Sequence, residues 1–187
     1  MRCLLCERWS FRLVCKECQR TFLRPRICER KLFGDFKVYS FYPYSEIKEL
    51  LLTKHSAIGR GVYKILAQNS LRLFAKKLDI KANVIPVDDR IDGGYSHTAI
   101  LANSMRTSYL TPRFASLRAK NRVNYSGKSL AYRLKNPRDF RYSGPKEKII
   151  LVDDIVTTGT TLKEAYSVCY KEGAEVLFAL VLADARE

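Results

Sequence analysis

Apolar positions along this chain fall into two patterns, short continuous runs and longer segments in which they recur every three or four residues. The alternation is clearest at the carboxyl end. Ile149 to Val152 is a continuous apolar run of strand length, Thr160 to Glu172 has helical spacing, and Glu175 to Leu182 is a second strand-like run. A run apolar at every position suits a strand covered on both faces. Asp153 to Gly159, between run and helix, reads as a loop.

The same reading extends upstream. Phe36 to Tyr42 is rich in β-formers and stops at Pro43. Ser45 is placed to cap a helix over Glu46 to Thr53, with Ile47, Leu50 and Leu51 on one face. After a turn at Ser56 to Gly61, the positions Val62, Ile65, Leu66, Asn69 and Leu73 predict one helix running to about Leu78. Asn83 to Val87 is a short apolar strand opening into a turn, Asp88 to Gly94, and Ser96 can start a helix whose buried ridge is Leu101, Met105 and Tyr109. A strand near Phe114 to Leu117, an open basic loop over Arg118 to Ser126 and a short helix over Lys128 to Leu134 complete the middle. The first 31 residues lack either periodicity, so the chain divides into a small element, 1–31, and an α/β domain, 32–187, whose alternating strands and helices imply a parallel sheet.

Composition excludes several classes. The longest apolar run, Leu177 to Ala183, is far short of the roughly 20 residues of a membrane span, so no membrane insertion and a cytoplasmic location are expected. The net charge of +15 is concentrated: residues 90–148 carry +10, whereas 149–187 carry −4. Within that segment Arg113, Arg118, Lys120, Arg122, Lys128, Arg133 and Lys135 are interleaved with Phe114, Tyr125 and Tyr132. Cations that track a phosphate backbone beside rings that accept unstacked bases fit single-stranded nucleic acid; a solvated basic surface is the plainer alternative.

The amino-terminal cysteines have a different logic. Cys3 and Cys6, then Cys15 and Cys18, form two C-x-x-C pairs eight residues apart, which supplies four soft ligands for a closed structural Zn²⁺ site. Trp9 between them is expected to pack, Cys28 stands outside the set, and Cys169 falls in an apolar helix. His55 and His97 are isolated in sequence and read as structural or surface residues.

The most specific signal is Ile149-Ile150-Leu151-Val152-Asp153-Asp154-Ile155-Val156-Thr157-Thr158-Gly159-Thr160-Thr161. A loop from a parallel strand into a helix faces the ligand crevice, and the helix start offers unpaired N–H groups. Gly159 allows close backbone approach, and Thr157, Thr158, Thr160 and Thr161 supply hydroxyls, which suits a phosphate. Ionised Asp153 and Asp154 only accept hydrogen bonds, which suits a ribose diol. Convergence of Asp88-Asp89 with Asp153-Asp154 on two metal ions is the competing reading.

These residues resemble the PRPP-binding motif of type I phosphoribosyltransferases. With the paired cysteines, the Val84-Ile85-Pro86-Val87 strand, the Gly94-Tyr95-Ser96-His97 segment and the arginine-rich middle, the whole chain resembles the ComF family of competence proteins. The resemblance implies a type I phosphoribosyltransferase-like fold with a zinc element, ribose contacts from Asp153 and Asp154, and a 5′-phosphate at Thr157 to Thr161. It also implies Mg²⁺ with pyrophosphate near the loop after Val87, and a role in natural transformation with single-stranded DNA and other DNA-uptake components as partners. No catalytic residue is identified. An active salvage phosphoribosyltransferase, or a zinc-based interaction module with a vestigial pocket, are the other classes open.

Overall fold

The computed structural model describes residues 1–91, 94–121 and 130–186. The elements in chain order are α1 (Lys16–Phe22), β1 (Cys28–Phe33), β2 (Phe36–Pro43), α2 (Tyr44–Leu52), a 3-10 turn (Thr53–His55), α3 (Gly59–Asn69), α4 (Leu71–Ala75), β3 (Ala82–Pro86), α5 (His97–Ser104), β4 (Leu110–Pro112), β5 (Leu117–Ala119), α6 (Leu130–Lys135), β6 (Phe140–Tyr142), β7 (Lys148–Val156), α7 (Thr160–Lys171) and β8 (Glu175–Asp184). Six strands form one sheet in the order β1-β2-β8-β7-β3-β4. All neighbours run parallel except the edge pair β1–β2, a hairpin in which Phe33 faces Phe36 across Gly34 and Asp35. The α/β class with a mainly parallel sheet is as expected.

Side-chain alternation along the central strands sorts the core into two layers. Ile150 and Val152 of β7, with Leu180 and Leu182 of β8, pack against buried residues of α2, α3 and α5. Ile149 and Leu151, with Ala179 and Val181, pack under Leu162, Ala165 and Cys169 of α7 and against Phe140 and Tyr142. Successive strand residues point to opposite faces, so an unbroken apolar run is what a strand sandwiched between two layers requires. Cys3, Val14, Cys18 and Leu23 of the amino-terminal element join the first layer.

Several boundaries differ from the sequence reading, each for a physical reason. β7 does not stop at Val152: it runs through both acids to Val156, because β8 continues to pair with it at Asp153, Ile155 and Val156. β8 correspondingly reaches Asp184. The α2 helix begins at Tyr44 with Pro43 at its cap position, so Ser45 lies inside the first turn and caps nothing; the proline's φ of −57° is already helical. The helix expected from Val62 to Leu78 is two, α3 and α4, because Ser70 leaves helical geometry. Its hydroxyl donates to the Leu66 carbonyl at 2.7 Å, which also accepts from the buried Tyr42 hydroxyl and from the Ser70 N–H, so side chains crowd the last backbone acceptor of α3.

Ser96 does cap α5, its hydroxyl accepting the Ala99 N–H, but the helix ends at Ser104 and Tyr109 is half exposed. The strand expected at Phe114 to Leu117 is replaced by β4 before it and β5 after it, with β5 pairing β6 in a separate antiparallel ribbon. Part of the expected basic loop is therefore β strand, and the rest of that loop, 122–126, lies outside the described residues together with the start of the helix expected over Lys128 to Leu134. The amino-terminal element contains one short helix, α1, capped by the Cys15 thiol accepting the Cys18 N–H. Trp9 is not packed: it is 83% exposed. Among the described residues no helix is long and apolar enough to cross a membrane.

Candidate functional site at the carboxyl end of the central strands

β7 delivers its two carboxylates to opposite faces of the sheet. Asp154 shares a face with Ile150 and Val152 and is buried there among three side chains from three elements. Lys54 of the 3-10 turn places Nζ 3.0 Å from Asp154 Oδ2, the Tyr63 hydroxyl of α3 lies 3.2 Å from it, and His97 Nε2 at the start of α5 is 3.6 Å away. The Tyr63 and His97 rings meet edge to face at 5.5 Å. Oδ1 accepts the Ile155 N–H. Burial alone would raise the Asp154 carboxyl, but His97 and Lys54 overcome it and hold it below the usual carboxylate range. Lys54 is raised in turn, chiefly by the charge of Asp154. His97 goes the other way, since burial lowers it more than Asp154 raises it.

Asp153 faces the other layer and is half buried, its Oδ1 accepting the Asp154 N–H at 2.8 Å. Burial, then the charge of Asp154, pushes this carboxyl upward, with Arg138 and Lys54 offsetting only part. One acid of the pair is thus a firm carboxylate and its neighbour is held toward the protonated form.

The loop that follows is shaped from outside. The Arg30 guanidinium of β1 donates to the Thr157 carbonyl at 3.0 Å and pairs with Asp184 at 2.8 Å, while the Ala185 N–H bonds the Val156 carbonyl. Gly159 has φ of +82°, and a Cβ there would lie 2.9 Å from Leu32 Cδ2, so both backbone angle and neighbour favour glycine. Gly159 is also the cap position of α7 and offers no side-chain cap, so the first N–H groups of the helix face the loop. Thr158 and Thr160 hydroxyls are 2.9 Å apart, with Thr158 exposed and Thr157, Thr160 and Thr161 half buried. Strand, loop and helix gather all seven residues proposed from sequence into one region, with Asp154 turned from Asp153.

Asp88 and Asp89 follow β3 but do not converge with the other acids. Asp88 Oδ1 accepts the Ala119 N–H and Oδ2 lies 3.5 Å from Arg138; Asp89 Oδ2 accepts the Ala115 N–H and Oδ1 lies 3.6 Å from Arg118. They clasp the β5–β6 ribbon to the end of β3. Arg90 adds a bond to the Ala119 carbonyl.

The basic residues are dispersed. Arg118 sits on β5 opposite Arg141 of β6, and Lys120 just beyond pairs with Asp139 at 3.2 Å. Like charges facing each other across a ribbon are unfavourable unless an anion joins them. Arg113 is separate, its Nε donating to Asn83 near the start of β3. Lys135 is exposed at the end of α6. Arg122 and Lys128 lie outside the described residues, as does the side chain of Arg133.

The four paired cysteines come together. The sulfurs of Cys3, Cys6, Cys15 and Cys18 all lie within 4.8 Å of one another, and Cys6 and Cys15 are 3.8 Å apart. Metal–sulfur bonds of about 2.3 Å in a tetrahedron separate the sulfurs by about 3.8 Å, so the cluster fits such an ion. Backbone N–H groups of Cys15 and Cys18 point at Cys3 and Cys15 sulfurs, at 3.3 and 3.4 Å. Burial would raise the Cys3 thiol, but N–H donors from Cys15, Cys6 and Leu5 bring it down to about 6, toward the thiolate a metal needs. Cys28 is exposed and outside the cluster, and Cys169 is on the buried face of α7.

Lys54, Tyr63 and Arg30 are not evident from sequence, and His97 reads there as a structural or surface residue. The Gly94-Tyr95-Ser96-His97 segment is the sequence signal that bears on His97, and the other three carry none.

No family model matches the chain. Over 41 residues it is 46% identical to an orotate phosphoribosyltransferase of Coccidioides immitis (strain RS), covering 22% of this chain and 17% of that protein. Over 101 residues it is 33% identical to an adenine phosphoribosyltransferase of Neorhizobium galegae, covering 51% of this chain and 55% of that one. The chain therefore matches about half, or less, of these relatives' length. Among solved structures, the orotate phosphoribosyltransferase from Aeropyrum pernix aligns with 90% of this chain and 80% of its own at 21% identity and a TM-score of 0.42. A phosphoribosyltransferase from Corynebacterium diphtheriae aligns with 90% and 81% at 16% identity and a TM-score of 0.40.

Two outcomes are expected. By NMR, His97 titrates below 6.5, and Asp154→Asn moves it lower still because the charge that lifts it is gone; an upward move would contradict the buried pairing. Elemental analysis finds one metal ion per chain, and Cys15→Ser releases it; full retention would remove the tetrad assignment.

Proposed function

We propose that this chain is a ComF-type protein of natural transformation that binds PRPP with Mg²⁺ and handles single-stranded DNA in the cytoplasm. The observation that carries the PRPP reading is the start of α7 behind left-handed Gly159, where only a long 3.5 Å contact from the Thr158 hydroxyl meets the Thr160 N–H, directly downstream of two acids on the central strand. In this reading the 5′-phosphate rests on the N–H and hydroxyl groups of Thr157 to Thr161, which a helix start favours by both hydrogen bonds and dipole. The ribose hydroxyls donate to Asp153 and Asp154. An ionised carboxylate has about four acceptor positions, and on Asp154 Ile155, Lys54 and Tyr63 take three, leaving one on Oδ1. The names of the curated relatives support a phosphoribosyl ligand.

Asp88 and Asp89 do not fit as magnesium ligands, since three of their four oxygens face a backbone N–H or Arg138 and the fourth has Arg118 nearby. The ion would travel with the pyrophosphate and ribose oxygens of the ligand, where it neutralises charge. The cysteine cluster holds Zn²⁺ as a structural ion, consistent with four sulfur ligands and a closed set. For DNA, the facing pair Arg118 and Arg141, with Lys120 beside them, supports a phosphate-binding ribbon. Arg122, Lys128, Arg133 and Lys135 belong to the same proposed path, whereas Arg113, engaged with Asn83, contributes least to it. Other DNA-uptake components are partners in this reading.

The second reading, an active salvage phosphoribosyltransferase that transfers ribose 5-phosphate from PRPP to a base, is favoured by the match to an adenine phosphoribosyltransferase. Pyrophosphate release with PRPP and adenine would decide for it.

Calorimetry tests the main reading. PRPP with Mg²⁺ gives a saturable heat with wild type, and Thr158→Val/Thr160→Val and Gly159→Val each weaken it at least about tenfold, the loss of one or two phosphate hydrogen bonds. Equal heats in all three proteins would reject it. For DNA, neutralising Arg118, Lys120 and Arg122 lowers the salt slope of oligonucleotide affinity by about 2, three contacts at about 0.7 each. An unchanged slope would move the path elsewhere.

A further inference from the structure

A cleft of about 670 Å³ opens between α3, α5 and the segment joining β4 to β5. One wall is an exposed stripe of cations: Arg60 and Lys64, one turn apart on α3, continued by Arg72 on α4. Residues four apart share a helix face, so these charges crowd one another, and among the described residues none of the three has an acidic partner. Facing them across the cleft are Phe114, 43% exposed, and Arg118.

The deepest lining residue is Asp89, only 6% exposed. Its Oδ2 is engaged by Ala115, but its buried Oδ1 has no hydrogen-bond donor, since Arg118 stops at 3.6 Å. A buried acceptor left in that state calls for a donor from elsewhere.

Anion-binding cations on one wall, an aromatic face on another and a buried acceptor between them are a combination few ligands satisfy. Inorganic phosphate would leave Phe114 and Asp89 idle. An acidic peptide would bring carboxylates toward Asp89. A sugar lacks the flat face. The geometry points to a nucleotide unit with an unpaired base: its phosphate on Arg60, Lys64 and Arg72, its base against Phe114, and an exocyclic amino group donating to Asp89 Oδ1. The volume lies within the roughly 300–1,000 Å³ of small-ligand clefts. A free mononucleotide and one residue of a single strand present the same chemistry. Only the strand version rests on the DNA reading above, and neither requires PRPP to bind.

The test uses the full chain with its metal, titrated with 5′-AMP by calorimetry and with a labelled pentadeoxyadenylate by anisotropy. At least one probe binds; Arg60→Glu/Lys64→Glu and Phe114→Ala each weaken it about tenfold, and adenosine and inorganic phosphate bind at least about tenfold more weakly than 5′-AMP. Tighter binding of the pentamer assigns the cleft to a strand, and parity assigns it to a free nucleotide. Thermal melts of the charge-reversed variant, whose sites are exposed, keep folding out of the comparison. PRPP heats in the same variants stay as in wild type, so failure of the PRPP reading shows separately. The inference is overturned if neither probe binds at about 1 mM. It is also overturned if both variants bind as wild type does, or if polyglutamate competes as well as the nucleotides.

Discussion

A single buried carboxylate ties this architecture together. Asp154 sits at the end of the central strand, and Lys54, Tyr63 and His97 reach it from the 3-10 turn, α3 and α5. A charge taken out of water is tolerable only where opposite charge and donors compensate it, so these three elements are constrained to meet at that point. The Tyr95 hydroxyl extends the constraint by bonding the Lys54 carbonyl at 2.6 Å. Everything on that face of the sheet is therefore referenced to the place where the acid pair emerges. Parallel strands place loops at one edge, and the ion-paired acid decides how the helices crowd that edge.

The two faces of β7 are chemically different for a simple reason. Alternation along a strand sends Asp153 away from the cluster that stabilises its neighbour, toward a side where burial and the adjacent charge oppose ionisation. The acid pair is consequently not a symmetric clamp. Beyond it, the second pair, Asp88 and Asp89, serves the architecture by fastening β5 and the segment before it through the N–H groups of Ala119 and Ala115. Identical dipeptides, one within the end of β7 and one just beyond β3, thus do different work, decided by what each finds within reach.

Legibility from sequence followed the range of the interactions. The apolar runs of β3, β7 and β8 and the helix after Gly159 were readable because burial on two faces leaves an unbroken apolar signature. The cysteine cluster was readable because metal-ligand spacing is local. What could not be read depends on partners distant in sequence. Asp153 and Asp154 look like loop residues until β8 is there to pair with them. The crowding of the Leu66 carbonyl at the end of α3, by the Ser70 hydroxyl and by Tyr42 of β2, has no local sign. Lys54 and His97 carry no local sign that they share one oxygen. Trp9 stays exposed because Cys3, Val14, Cys18 and Leu23 take the buried positions of the small amino-terminal element.

The hairpin at Gly34 and Asp35 has a bearing on the far end of the chain. Its two-residue turn, together with the register shift between Lys31 and Phe33, fixes which side chains of the edge strand look inward, and these include Leu32, against Gly159, and Arg30, on the Thr157 carbonyl. A slip of one residue in that pairing would swing both away and present Lys31 and Glu29 instead, since strand side chains change sides with every step. The contour of the threonine-rich loop is in that sense cast by a turn some 120 residues upstream, and lengthening that turn would recast it without touching the loop's own sequence.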